Sequence, residues 1–464
     1  MFPLQTNEFL NNVCEKIKYK PIRNEISEEL KNHIEEQKET FIQSGIEENV
    51  AEQKAIENMG SAEELGKKLN KIHKPKLDWK LVLLILILIA FGALVNIIRI
   101  KSYLSVNELD IINGYSQAKK YIFALIIGIV LSLLIYFIDY RKLSKYSMIF
   151  YILATLSMVM PYILGTRLIY NTRPYLRLGG ITVLPTVLAI PLYIIAFIGF
   201  IHNKSNITIT INNEKNINMN GTIVIIVFSI ISLCLCLMME FVVDAVIMAL
   251  VYMIIATIKL SSLKKKGIKY IVMLWGIPLF LVLLVVLIMV NNPYQYRLNR
   301  IKVSFNPQAD PYGSGWQAME RNKVIESAKM FGKTEETEAS IISLFEVESN
   351  WAIISILANY GWGVALGMLL AIILLSVKLI VNAINIKEEY GKWLTIGIST
   401  MFILQSLFNV AMNLGFGIIA NFNLPLVSYG LISLIMNMMS LALVLSVYRR
   451  KDINTYETKY EKVV

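Results

Sequence analysis

Ten apolar runs leave this chain few possible folds. Each is near the ~20 residues that an α-helix needs to cross a hydrocarbon core. They lie at about 81–100, 121–139, 147–165, 182–201, 222–239, 243–260, 270–290, 351–376, 393–413 and 426–447. Inside a bilayer every backbone N–H and C=O must find a partner within the protein, so such runs become helices. The stretch 222–260 is one apolar run. Its length, with Glu240 and Asp244 near the middle, argues for two spans and a tight turn. The fold class is therefore all-α: a polytopic membrane protein of about ten transmembrane helices, preceded by a small soluble helical bundle. A content of 55% hydrophobic residues over 464 positions, and a mean hydropathy of +0.55, exclude an ordinary soluble enzyme.

Orientation follows from lysine and arginine in short loops. Arg141, Lys142 and Lys145, then Lys264, Lys265, Lys266 and Lys269, then Lys387 and Lys392, and finally Arg449, Arg450 and Lys451 fall on one side. That side is expected to be the cytoplasm, with both termini there, in a multi-pass protein of the bacterial plasma membrane. A net charge of +11 and a pI near 9.2 suit contact with anionic membrane lipid. The basic residues sit between apolar spans, and no nucleic-acid signature is present. Cys14, Cys234 and Cys236 offer neither a disulfide framework nor zinc spacing, and His33, His73 and His202 are scattered. The polar start gives no sign of a cleavable signal peptide.

Residues 1–78 form a separate polar module ahead of the membrane domain, 79–464. Pro21 suits the first turn of a helix, and Ile22, Ile26, Leu30 and Ile34 make one apolar stripe at a spacing of four. Gly45 ends that helix, a second runs from about Glu47 to Met59 before Gly60, and Ser61-Ala62-Glu63-Glu64 is a capping box for a third. An earlier helix around Phe9, Val13 and Ile17 completes the bundle. Lys20, Arg23, Glu25, Ile26, Glu29, Leu30, His33 and Ile34, then Ala55, Gly60, Glu63, Glu64, Leu65, Gly66 and Leu69, resemble the permease-prefix or HAAS-type domain of Gram-positive bacteria. That resemblance implies regulation or protein contact.

A polar segment, 291–350, interrupts the membrane domain and is expected outside the cell. Within it stands Asn306-Pro307-Gln308-Ala309-Asp310-Pro311-Tyr312-Gly313-Ser314-Gly315-Trp316-Gln317. Two prolines bracket one carboxylate and two glycines follow, which makes a shaped loop rather than a helix. A lone Asp there is a candidate general base, or simply closes a turn before Pro311. Tyr296-Arg297-Leu298-Asn299-Arg300-Ile301 precedes it; Phe331-Gly332-Lys333 and Leu344-Phe345-Glu346 follow.

This series resembles the large extracellular loop of the SEDS family, the RodA-, FtsW- and SpoVE-type proteins of shape, elongation, division and sporulation. Pro425-Leu426-Val427-Ser428-Tyr429-Gly430 with Asn437 resembles the same family's C-terminal pattern. Elsewhere the match is looser. Around 171–190, Pro174 and Tyr175 stand for Arg and Trp, and Val187 and Ile190 for a Glu and a Lys. At Glu346-Val347-Glu348-Ser349-Asn350, Glu346 keeps the family's Glu, while Glu348 and Asn350 replace His and Asp. Glu240 and Asp244 either meet outer water or line the outer cavity. Gln405, Asn409 and Asn413 share one helix face, which must point into the bundle or a wet cavity.

The resemblance implies polymerisation of lipid II, the undecaprenyl-pyrophosphate-linked disaccharide peptide, with Asp310 as catalytic base. It implies substrate contacts by Arg297, Arg300, Lys333, Gln317, Glu346, Tyr175, Gln405, Asn409 and Ser428, a divalent cation as companion, and a class B penicillin-binding protein as partner. No organic cofactor motif is visible. Two other readings stay open: a non-catalytic scaffold or sensor of cell-wall synthesis, favoured by the replaced polar positions, and a transporter of lipid-linked precursor.

Overall fold

The structure is a computed structural model. It describes residues 4–72, 75–104, 108–164, 176–178, 181–203, 207–211, 215–219, 221–238, 242–261, 276, 302–304, 306–313, 315–334, 350–416, 423–428 and 430–451. The chain divides into two compact units, Met1–Asp78 with Tyr448–Val464, and Trp79–Val447.

The first unit is a helical bundle of α1 (Leu4–Lys16), α2 (Arg23–Gln43), α3 (Glu48–Met59) and α4 (Ala62–Ile72). The stripe Ile22, Ile26, Leu30 and Ile34 is buried with Phe9, Leu10, Val13, Ile17 and Ala55. Gly45 and Gly60 adopt φ of 85° and 79°, the left-handed conformation that glycine takes without a Cβ penalty, and so end their helices. Pro21 lies in a short 3₁₀ turn, Lys20–Ile22, immediately ahead of α2.

The second unit carries α5 (Trp79–Leu104), α6 (Glu108–Phe137), α7 (Ser147–Leu164), α8 (Pro185–His202), α9 (Gly221–Met238) and α10 (Val242–Ser261). It continues with α11 (Trp316–Ser327), α12 (Ala352–Tyr360), α13 (Trp362–Asn385), α14 (Glu389–Asn413) and α15 (Leu431–Arg449). Among the described residues seven helices are long and apolar enough to cross a membrane, and 225–237 and 242–258 are shorter apolar helices. Two antiparallel hairpins complete the unit. β1 (Leu176–Leu178) pairs with β2 (Ile181–Val183), and β3 (Ile207–Ile211) with β4 (Lys215–Met219).

α8 and α14 form the centre. α8 packs on α7, α9, α10 and α14, and most of its side chains are buried. α6 is the opposite case: Ile122, Phe123, Ile126, Ile129, Val130, Leu133 and Leu134 are exposed, an apolar face suited to lipid. The run at 222–260 is indeed two helices, α9 and α10.

Three expectations need correction or fall outside the described residues. Of the run at 270–290 all but residue 276 lies outside them. The span expected from 182 begins instead at Pro185, because β2 takes Ile181–Val183 and proline suits a helix's first position. The span expected over 351–376 is two helices, broken at Gly361, whose φ is 83°.

Candidate functional site

Asp310 sits where the sequence pattern demands a bend. Pro307–Ala309 is a single 3₁₀ turn, and Asp310 follows at φ −152°, ψ 69°. Its carbonyl accepts from the Gly313 N–H at 3.4 Å and the Gly315 N–H at 2.9 Å, and Gly315 O accepts from Met319 N at 2.9 Å. The loop is thus welded to the first turn of α11. Both glycines are needed for close approach. A Cβ on Gly313 would overlap the Asp310 carboxylate, and one on Gly315 would meet the Pro307 and Asp310 carbonyl oxygens. The Asp310 side chain is half-buried, and the neighbouring Tyr312 is 98% exposed.

α11 leads from this loop to the segment 328–334, which plugs the break at Gly361. Helix ends leave carbonyls and amides without intrahelical partners. Here Gly332 N donates to Tyr360 O (3.2 Å) and Thr334 N to Ala358 O (2.9 Å). Trp362 N donates to Lys329 O (3.0 Å) and Gly363 N to Met330 O (2.9 Å). Gly332 has φ 94°, and the Phe331 ring lies so close to Gly363 that a Cβ there would clash. Phe331-Gly332-Lys333 therefore has a structural task that the sequence did not reveal, with the Lys333 side chain at the surface.

A second polar place is separate from the loop. A cavity of about 30 Å³ is lined by Leu184, Thr186, Val187, Ile190, Asp244, Gln405, Asn423 and Ser433. Thr186, Asp244 and Ser433 come from the first turns of α8, α10 and α15, whose N-terminal amides favour a negative charge. Val187 and Ile190 are part of its wall. Asp310 is not among its lining residues.

The expected site residues separate accordingly. Gln405 reaches the cavity. Asn409 and Asn413 are wholly buried; their Nδ2 atoms donate to Asn350 O at 3.2 and 3.0 Å, and Asn413 Oδ1 accepts from Ile354 N at 3.4 Å. These amides secure the start of α12. Ser428 is buried and its Oγ accepts from Leu424 N at 2.8 Å, closing a turn in which Leu426 has φ 66°. That turn packs on Gly92 of α5. Gln317 is half-buried in the first turn of α11. Tyr175, Glu240, Arg297, Arg300 and Glu346 lie outside the described residues.

One charged residue escaped the sequence reading. Arg321 of α11 is only 2% exposed, and its Nη1 donates to Met412 O at 3.1 Å, at the end of α14. Burial pulls its pKa below the ordinary arginine value. Only burial could have marked it, since nothing in its spacing does.

Comparison with known proteins agrees with this architecture. The family model described as a cell cycle protein, that of FtsW, RodA and SpoVE, matches residues 79–453. The chain belongs to this family. Among curated SEDS relatives, a probable peptidoglycan glycosyltransferase FtsW of Trichlorobacter lovleyi is 27% identical over 157 residues, 33% of this chain and 40% of the relative. Stage V sporulation protein E of Bacillus subtilis is 28% identical over 158 residues, 33% of this chain and 42% of the relative. The matched part is thus under half the length of either. A chain of a peptidoglycan synthase complex that coordinates polymerization and crosslinking superposes with a TM-score of 0.58 at 19% identity, covering 81% of this chain and 98% of that one. The rod shape determining protein RodA of Thermus thermophilus gives a TM-score of 0.51 at 19% identity, covering 81% and 97%. At those identities the likeness is one of fold, and this SEDS chain is an all-α polytopic membrane protein of RodA-like fold.

Proposed function

We propose that this SEDS protein is a peptidoglycan glycosyltransferase that polymerises lipid II at the outer face of the cytoplasmic membrane. The observation that carries the proposal is the Asp310 loop. Two prolines, two close-packed glycines and the start of α11 fix one half-buried carboxylate in a membrane-protein loop. In the reaction the sugar hydroxyl of one lipid-linked disaccharide forms a bond to the anomeric carbon of another. The bond from that carbon to the diphosphate breaks, and the lipid diphosphate leaves with the electron pair. Asp310 takes the hydroxyl proton as general base.

The family implies a divalent cation. Among the described residues no group of three or more His, Cys, Asp or Glu side chains is present. Such an ion would be held by the substrate's own phosphates, a binding mode that magnesium favours, with Asp310 as the carboxylate offered by the 306–317 loop. When bound it would supply charge stabilisation to the leaving diphosphate. Arg297, Arg300 and Lys333 are the candidate cationic contacts of this chain. A class B penicillin-binding protein would supply the crosslinking activity, and the 1–78 bundle a regulatory or partner contact.

The test is polymerisation of labelled lipid II by the purified protein with its class B partner. Glycan made by wild type and not by Asp310→Asn supports the reading. A wild type that makes none, with its partner present, favours the second reading, a non-catalytic scaffold. That reading has its own observation: Val187 and Ile190 put an apolar wall in the cavity where the family pattern carries a Glu and a Lys. Orientation is checked separately. A reporter active only outside the cell should be silent after Val464 and active at Thr337; reversed signals would overturn the assignment of sides.

A further inference from the structure

We infer that Arg321 is a positioning residue, which sets where the Asp310 loop stands relative to the end of α14. This deepens the polymerase reading and rests on it for its activity arm. Arg321 is one of the largest fully buried side chains of the protein. Its Nη1 donates to Met412 O at 3.1 Å, while Nε and Nη2 both donate to Asn322 Oδ1 at 3.1 and 2.9 Å. Among the described residues no carboxylate pairs with it. A buried guanidinium held by neutral oxygens is costly, and an apolar residue would be the cheaper way to fill the space.

What the guanidinium achieves is a direction. The last carbonyls of a helix carry its negative end, and a cation there is favoured. α14 is finished to receive it. Gly415 takes φ 92°, Phe416 N donates to Ala411 O at 2.9 Å, and a Cβ on Gly415 would stand 3.4 Å from Arg321 Nη2. Asn322 holds the other edge of the planar fork, so the side chain has one geometry. On one side of the contact, α11 is continuous with the Asp310 loop through Gly315 and Met319. On the other, α14 carries Gln405 into the cavity and Asn409 and Asn413 onto the start of α12. Arg321 is therefore the strap between the loop with the candidate base and the helix that lines the cavity. With 2% exposure it does not touch substrate.

Lysine keeps the charge but cannot hold Met412 and Asn322 together in one plane. Arg321→Lys should lower kcat about tenfold, since small misplacements of a reacting group are expensive, with KM within about twofold of wild type. Asn322→Ala, at a half-buried site, should move kcat the same way by less. The second arm needs no activity. Spin labels at Gln308→Cys and Phe416→Cys, in a background with the native cysteines replaced, should give one narrow distance distribution in wild type and a broader one in Arg321→Lys. If wild type makes no glycan, the polymerase reading fails and the distance arm alone decides the strap. Wild-type kcat and an unbroadened distance in both variants would overturn it. So would loss of folded protein with unchanged kcat per folded molecule, because Arg321 would then serve only stability.

Discussion

The Asp310 loop resembles the family pattern closely, and the cavity wall on α8 resembles it loosely. The loop keeps its prolines, carboxylate and glycines. On the wall, Val187 and Ile190 line the cavity at positions where the pattern this sequence resembles has a Glu and a Lys. The physics of each place accounts for the difference. The loop is close-packed at its glycines: a Cβ on Gly315 would meet the Pro307 and Asp310 carbonyl oxygens and move the turn, and one on Gly313 would displace the Asp310 carboxylate. The wall's shape is made by side chains on a helix already fixed by its neighbours, and valine or isoleucine suits a span better than a charged pair, which is costly there. A change at the wall alters chemistry and leaves the fold alone; a change at the loop's glycines alters the placement of the carboxylate as well.

The largest effect should therefore come from Asp310→Asn, which keeps the shape and removes the base. Loss of a general base typically costs about 10²–10⁴-fold in rate. Glycan synthesis should fall by that factor while membrane insertion and abundance stay near wild type. Comparable activity in the variant would remove the contrast at its root.

Gly313→Ala comes next. The added methyl would lie against the carboxylate and push it aside, with the base still present. A displacement of about 1 Å costs on the order of 10²-fold. Full activity in this variant would mean that the carboxylate's position is not critical. Gly361→Ala should be milder and act on stability. A non-glycine residue at φ 83° is strained, by about 1–3 kcal/mol, and its Cβ would meet the Lys329 and Met330 carbonyls. A melting point lowered by a few degrees, with residual activity, is the expected readout.

How far the sequence reached depends on the range of the interactions. The N-terminal helices and seven membrane-length helices among the described residues were legible, because a stripe such as Ile22–Ile34 and a stop such as Gly45 are local. The break at Gly361 was not. The apolar run crosses it without interruption, and the break is stabilised by backbone groups of 329–334, some thirty residues away. Arg321 was hidden for the same reason, since its partner Met412 stands 91 positions along the chain. In the cavity, the spacing of Gln405, Asn409 and Asn413 told that one face was polar. It did not tell that Gln405 alone would line the cavity while the other two hold Asn350. That division depends on where α12 starts.

The smallest effect should come from the wall's side of the comparison, with Asp244→Asn. Asp244 is the carboxylate among the cavity's lining residues, beside Thr186, Gln405, Asn423 and Ser433, at three helix N-termini that favour negative charge. Asparagine has the same shape and keeps one acceptor, so the cavity should keep its form. If chemistry resides at Asp310, the substitution removes only a favourable contact, and the rate should fall less than tenfold, with KM moving more than kcat. The measurement is a full substrate titration of labelled lipid II, not a single concentration, because a change in KM alone is invisible at saturation. A loss as deep as that of Asp310→Asn, carried in kcat, would invert the comparison. The cavity would then hold a reacting group, and the apolar wall at Val187 and Ile190 would be the surface that shapes it.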